Sequence, residues 1–103
     1  MTVYNKLVRD RIPELICAGG EIPHTRILEA EEYRLLLEEK LDEEVREFHR
    51  DQNLEELADI LEVVYALSEA YGGREALLRL NEEKREARGG FHERIFLISK
   101  EER

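Results

Sequence analysis

Apolar residues recur at helical spacing over most of the chain, and the breaks between the repeats are sharp. Tyr33, Leu37, Leu41, Val45 and Phe48 form one stripe at about 100° per residue, within a stretch free of Gly and Pro that predicts a helix over residues 30–50. Asp51-Gln52-Asn53 interrupts it. A second helix, with Ile60, Val63 and Leu67 on its inner side, follows and ends near Tyr71-Gly72-Gly73, with Asn53 and Glu56 spaced as a capping box at its start. A third covers residues 74–88, with Ala76, Leu77, Leu80 and Ala87 inward and Gly89-Gly90 beyond. Pro13 opens a short helix that stops at Gly19-Gly20. Residues 91–98, Phe-His-Glu-Arg-Ile-Phe-Leu-Ile, are rich in β-formers and predict a short strand or hairpin, pairing with the extended stretch Arg26-Ile27-Leu28. The expected fold is therefore mainly α, an antiparallel helical bundle with a short β element near its end, in a single domain over residues 1–103.

Four acids break the pattern. Glu44 falls in the middle of the first apolar stripe with Glu47 three residues on, and Glu56 and Asp59 flank the second. An unpaired buried carboxylate costs several kcal/mol or is forced to protonate, so acids on core-facing stripes call for a cation. Local terms explain part of the placement: capping by Asn53 for Glu56, the helix dipole for Asp59, and Lys40 one turn before Glu44. These contribute only about 0.3–1 kcal/mol each and do not explain why the acids face the apolar side. The short break at residues 51–53 favours a hairpin of antiparallel helices, which brings all four together.

Composition narrows the chemistry. The 103 residues are 42% hydrophobic and 40% charged, which suits a helical domain with solvated outer faces. A formal charge of −9 argues against a general binder of nucleic-acid polymers. His24, His49 and His92 lack zinc-ligand spacing, and a hard, oxygen-preferring cation suits the acids better. Cys17 is the one cysteine, and no apolar run suggests a signal or membrane segment; the expected address is the cytoplasm, with no membrane partner. The basic residues cluster in two places. Lys6, Arg9 and Arg11 lie near the start, and Lys84, Arg85, Arg88 and Arg94 near Gly89-Gly90. Of these, Lys6, Arg9, Arg11, Lys84 and Arg88 are the candidate phosphate-binding residues, the alternative being ordinary ion pairs with surface acids. Tyr4 and Phe91 could stack on a nucleobase or sit in the core.

Glu43-Glu44-x-x-Glu47 followed by Glu56-x-x-Asp59 resembles the signature of MazG-type all-α nucleoside triphosphate pyrophosphohydrolases, which include phosphoribosyl-ATP pyrophosphohydrolase and dimeric dUTPases. The likeness extends further. Residues 4–13 (Tyr-Asn-Lys-Leu-Val-Arg-Asp-Arg-Ile-Pro), 40–45, 55–63 and Arg88-Gly89-Gly90-Phe91 resemble a branch of predicted house-cleaning phosphatases for noncanonical nucleotides. The resemblance implies Mg²⁺, with Mn²⁺ as substitute, held by Glu44, Glu47, Glu56 and Asp59. Glu43 would support or replace a ligand, and Glu62 is an additional candidate. It implies hydrolysis of a triphosphate between the α- and β-phosphates, to monophosphate and pyrophosphate, with Glu44 or Glu47 handling the attacking water. It also implies a homodimer or homotetramer. The eight residues between Glu47 and Glu56 are fewer than the family's better-studied members carry. Two alternatives accompany this reading: phosphoribosyl-ATP pyrophosphohydrolase-like activity, and a non-enzymatic dimerisation or adaptor module.

Overall fold

A computed structural model describes residues 1–103 as four α-helices: α1 (Ile12–Ala18), α2 (Ala30–Asp51), α3 (Leu54–Ser68) and α4 (Arg74–Arg88), with a 3₁₀ turn over Glu69–Tyr71. Each boundary has a local cause. Pro13 lies in the first turn of α1, where its missing N–H costs nothing. Asn53 caps α3, its side chain accepting the Glu56 backbone N–H at 2.9 Å. The reciprocal half of the expected capping box does not form, because the Glu56 carboxylate turns toward the other acids. At the other end of α3, Gly72 and Gly73 both take positive φ and open the turn into α4.

The centre of the molecule is the α2–α3 hairpin. Only Gln52 and Asn53 separate the helices, and Gln52 sits in the left-handed region (φ 48°, ψ 55°) with its N–H donating to the Phe48 carbonyl at 2.7 Å. The two helices then run antiparallel. Tyr33 and Leu37 near the start of α2 line the same hollow as Ala66 and Leu67 at the end of α3. Leu37 and Val63 are the buried apolar residues, and Glu44 and Ser68 are buried with them. The Ser68 hydroxyl is satisfied within its own helix, donating to the Tyr65 carbonyl at 2.6 Å.

Little else is covered. The chain measures 67 × 31 × 20 Å with a radius of gyration of 18.7 Å, where a compact chain of this length would have about 13 Å. Its accessible surface is 9850 Å², against about 6,100 Å² for a compact monomer of its mass. Helix α4 packs against α3 at its beginning, where the Arg74 guanidinium lies 3.8 Å over the Tyr65 ring, and it has no buried residue.

Residues 91–98 form no strand, contrary to the expectation from their composition. Neither does the stretch Arg26-Ile27-Leu28. A strand needs its backbone groups paired, and within one chain α4 carries residues 91–98 away from the hairpin with no neighbouring edge to join.

Gln52 is the one strained position in the hairpin. A non-glycine residue there costs roughly 1–2 kcal/mol, partly offset by the chain entropy that glycine would add. Gln52→Gly is expected to stabilise the fold by about 0.5–1 kcal/mol, read as a higher midpoint in urea with an unchanged slope.

Candidate metal centre

Residues 44 and 47 lie on one face of α2 because they are three apart, and residues 56 and 59 share a face of α3 for the same reason. The two-residue reversal sets these faces against each other. Carboxylate oxygens of Glu43, Glu44 and Glu47 lie within 4.8 Å of one another, and so do those of Glu44, Glu56 and Asp59. Glu44 belongs to both groups. It is 6% exposed, and its Oε2 has no hydrogen-bond partner, as is also true of Glu56 Oε2.

Two cations touch this cluster. Lys40 Nζ is 3.3 Å from Glu44 Oε1 and 3.6 Å from Glu43 Oε2, the pairing expected one turn earlier on the helix. Arg9 reaches across from the N-terminal segment and donates to Asp59 Oδ1 at 2.7 Å. Two positive groups leave the acids in excess. Burial pushes the Glu44 carboxyl above its ordinary range, and its contact with Glu47 adds to the rise, against the pull of Lys40. Glu56 is raised as well, first by desolvation and then by the charges of Glu47, Asp51, Asp59 and Glu44.

The donor set fits a hard divalent cation. All the donor atoms are carboxylate oxygens, the ligands that hard cations such as Mg²⁺ prefer, and those of each trio lie within 4.8 Å of one another. The two orphaned oxygens are lone pairs withdrawn from water without compensation, which a cation would supply. Glu44 is common to both trios.

The other expected residues divide. Glu62 is exposed and stands apart from both trios, so the geometry does not join it to the site. Lys6 lies beside it, lining a small hollow with Lys40 and Glu43 and standing 5.9 Å from the Tyr4 ring. Arg11 instead pairs with Glu14 at 2.6 Å. Lys84 and Arg88 sit on the far half of α4, which begins at the opposite end of the hairpin, and one chain does not bring them to the acids. Phe91 is fully exposed and Tyr4 largely so; neither is in a core. Asp51 was not anticipated. It bonds Arg50 and adds charge beside Glu56, and its spacing of four from Glu47 on α2 was the available signal.

Comparison with known proteins adds one relative. An uncharacterised protein of Mycolicibacterium smegmatis is 54% identical over 54 residues, covering 48% of this chain and 55% of that one. The chain thus spans about half the length of the relative it matches. No family profile matches the chain, and no solved structure does.

The raised carboxyls have a consequence for stability. Both Glu44 and Glu56 hold protons more tightly folded than unfolded, so their contribution is full below pH 4.5 and is lost as pH rises through their elevated values. In chelator, Glu44→Gln is expected to melt higher than the parent at pH 8 and no higher at pH 4. Thermal scans across that range check the crossover.

Proposed function

We propose that this chain is a Mg²⁺-dependent nucleoside triphosphate pyrophosphohydrolase of the all-α, MazG-like kind, acting in the cytoplasm on noncanonical nucleotides. One observation carries the reading: a buried carboxylate with an unpartnered oxygen, at the point where two acid trios meet. Glu44, Glu47, Glu56 and Asp59 would hold Mg²⁺ or Mn²⁺, with Glu43 in support. When bound, the ion supplies charge neutralisation at the phosphates and a water of lowered pKa.

The chain's own residues account for the rest. Glu47, half-buried beside Glu44, orients the attacking water at the α-phosphorus and takes its proton, leaving pyrophosphate as the departing group. Arg9 donates to Asp59, and with Asp59 serving as a metal ligand the Arg9 guanidinium would be left to take a phosphate bidentately. Lys6, from the same segment, lies on the same side. Arg11 would join them only by leaving Glu14. Lys84 and Arg88 would reach a substrate only from a second copy, in a homodimer or homotetramer whose hairpins complete the helical bundle. The same acids would serve a phosphoribosyl-ATP substrate.

Incubated with Mg²⁺ and a panel of canonical, damaged and phosphoribosylated triphosphates, the chain is expected to release pyrophosphate. Glu44→Gln and Asp59→Asn should lower turnover by about 100-fold or more. Orthophosphate as the sole product would overturn the proposed bond. Absence of both Mg²⁺ binding by calorimetry and turnover would favour a non-enzymatic adaptor whose acids pair with a partner's cations.

Arg9 gives a sharper signature. Arg9→Ala should tighten Mg²⁺ binding, because Asp59 loses its competitor, while raising KM for the triphosphate. Calorimetry and steady-state kinetics on the same preparation read the two opposite effects.

A further inference from the structure

Residues 91–98 form an exposed apolar arm. Phe91, Ile95, Phe96, Leu97 and Ile98 all face water, Phe96 at 86% exposure, after a glycine pair in which Gly89 takes φ 80°. Five large apolar side chains exposed within eight residues are more apolar surface than a monomer usually leaves open in one short segment. A matching hollow exists elsewhere. At the end of the hairpin away from the acids, Tyr33, Leu37, Ala66, Leu67 and Ala70 line a mostly apolar depression of about 210 Å³ with Glu69 on its rim. That is below the roughly 300–1,000 Å³ of ordinary small-molecule sites, and it suits a single large side chain better than a ligand.

We propose that residues 91–98 of one copy dock in this hollow on a second copy, with Phe96 as the anchor. The proposal deepens the oligomer reading above and rests on it.

Area, charge and spacing support the assignment. The chain exposes about 3,700 Å² more than a compact monomer would, several times the roughly 800 Å² that each partner contributes to a standard stable interface. On the rim, Arg34 is already paired with Glu31 and Glu38, whereas Glu69 has no ion-pair partner. The arm carries the complement. Arg94 stands two residues before Phe96, in a turn where it takes φ 57° and its N–H donates to the Phe91 carbonyl, so a charge opposite to that of Glu69 lies close in sequence to the ring that enters the hollow. Beyond that turn Phe96 and Ile98 are two apart and share a face of an extended arm. A second copy is the favoured source, because α4 is a rod of about 22 Å that starts beside the hollow and carries its own arm away from it.

Cross-linking tests the arrangement in the full chain. With Cys17 replaced by Ser, Ala70→Cys is placed in one chain and Phe96→Cys in another of different tag length, and the two are mixed and oxidised. A covalent heterodimer is expected, formed in higher yield than either homodimer. A chain carrying both cysteines that closes only on itself would place the arm in its own hollow and overturn the second copy as occupant. In parallel, sedimentation of the parent should give a multiple of 12.2 kDa, and Phe96→Glu should weaken association more than about tenfold with helicity retained. An oligomer that neither cross-links between positions 70 and 96 nor responds to Phe96→Glu sinks the docking while sparing the oligomer reading. A parent that sediments as a single chain sinks both, and pyrophosphate release remains a separate test of the chemistry.

Discussion

Packing α2 against α3 across a two-residue reversal is the constraint from which the rest of this molecule follows. With only Gln52 and Asn53 between them, the helices can neither slide far nor splay, so a residue a few positions before the turn must face one a few positions after it. Glu44 and Glu47 therefore oppose Glu56 and Asp59. The same register seats Leu37 and Val63 in the core and leaves the apolar hollow at the far end. Gln52 holds the reversal in a left-handed conformation that an L-residue adopts at some cost, a local strain carried by the helix packing on either side.

The hairpin is polarised by this arrangement. Charge gathers at the turn end, where four acids meet Lys40 and Arg9; apolar surface gathers at the other, where α4 departs. Four buried residues among 103 are too few to give a domain of this length an ordinary core, which makes the open apolar surface as much a part of the physical problem as the acids are.

Arg9 ties the N-terminal segment to the acids across fifty positions of sequence, through one charge-assisted hydrogen bond. Because Asp59 and Arg9 are both partly exposed, that bond is weak enough to exchange. Lys40 differs: it is shielded, and it shares itself between Glu43 and Glu44 as part of the same helix. One cation is thus built into the helix, and the other reaches in from the non-helical N-terminal segment.

Much of this was legible in the chain itself. Pro13, Asn53 and the Gly72-Gly73 and Gly89-Gly90 pairs mark helix ends by local backbone chemistry, and they bound the helices where the periodicity placed them. The intrusion of Glu44 into an apolar stripe is also local, since a helical period alone sets which face it occupies. The tertiary structure decided everything that depends on register between elements. It joined Asp51 and Arg9 to the acids, turned Glu62 to solvent, and set Lys84 and Arg88 at the opposite end from the site expected to use them. It also left residues 91–98 without a partner strand, because β-forming composition is a preference of side chains, whereas a strand requires a neighbour that a single copy does not provide.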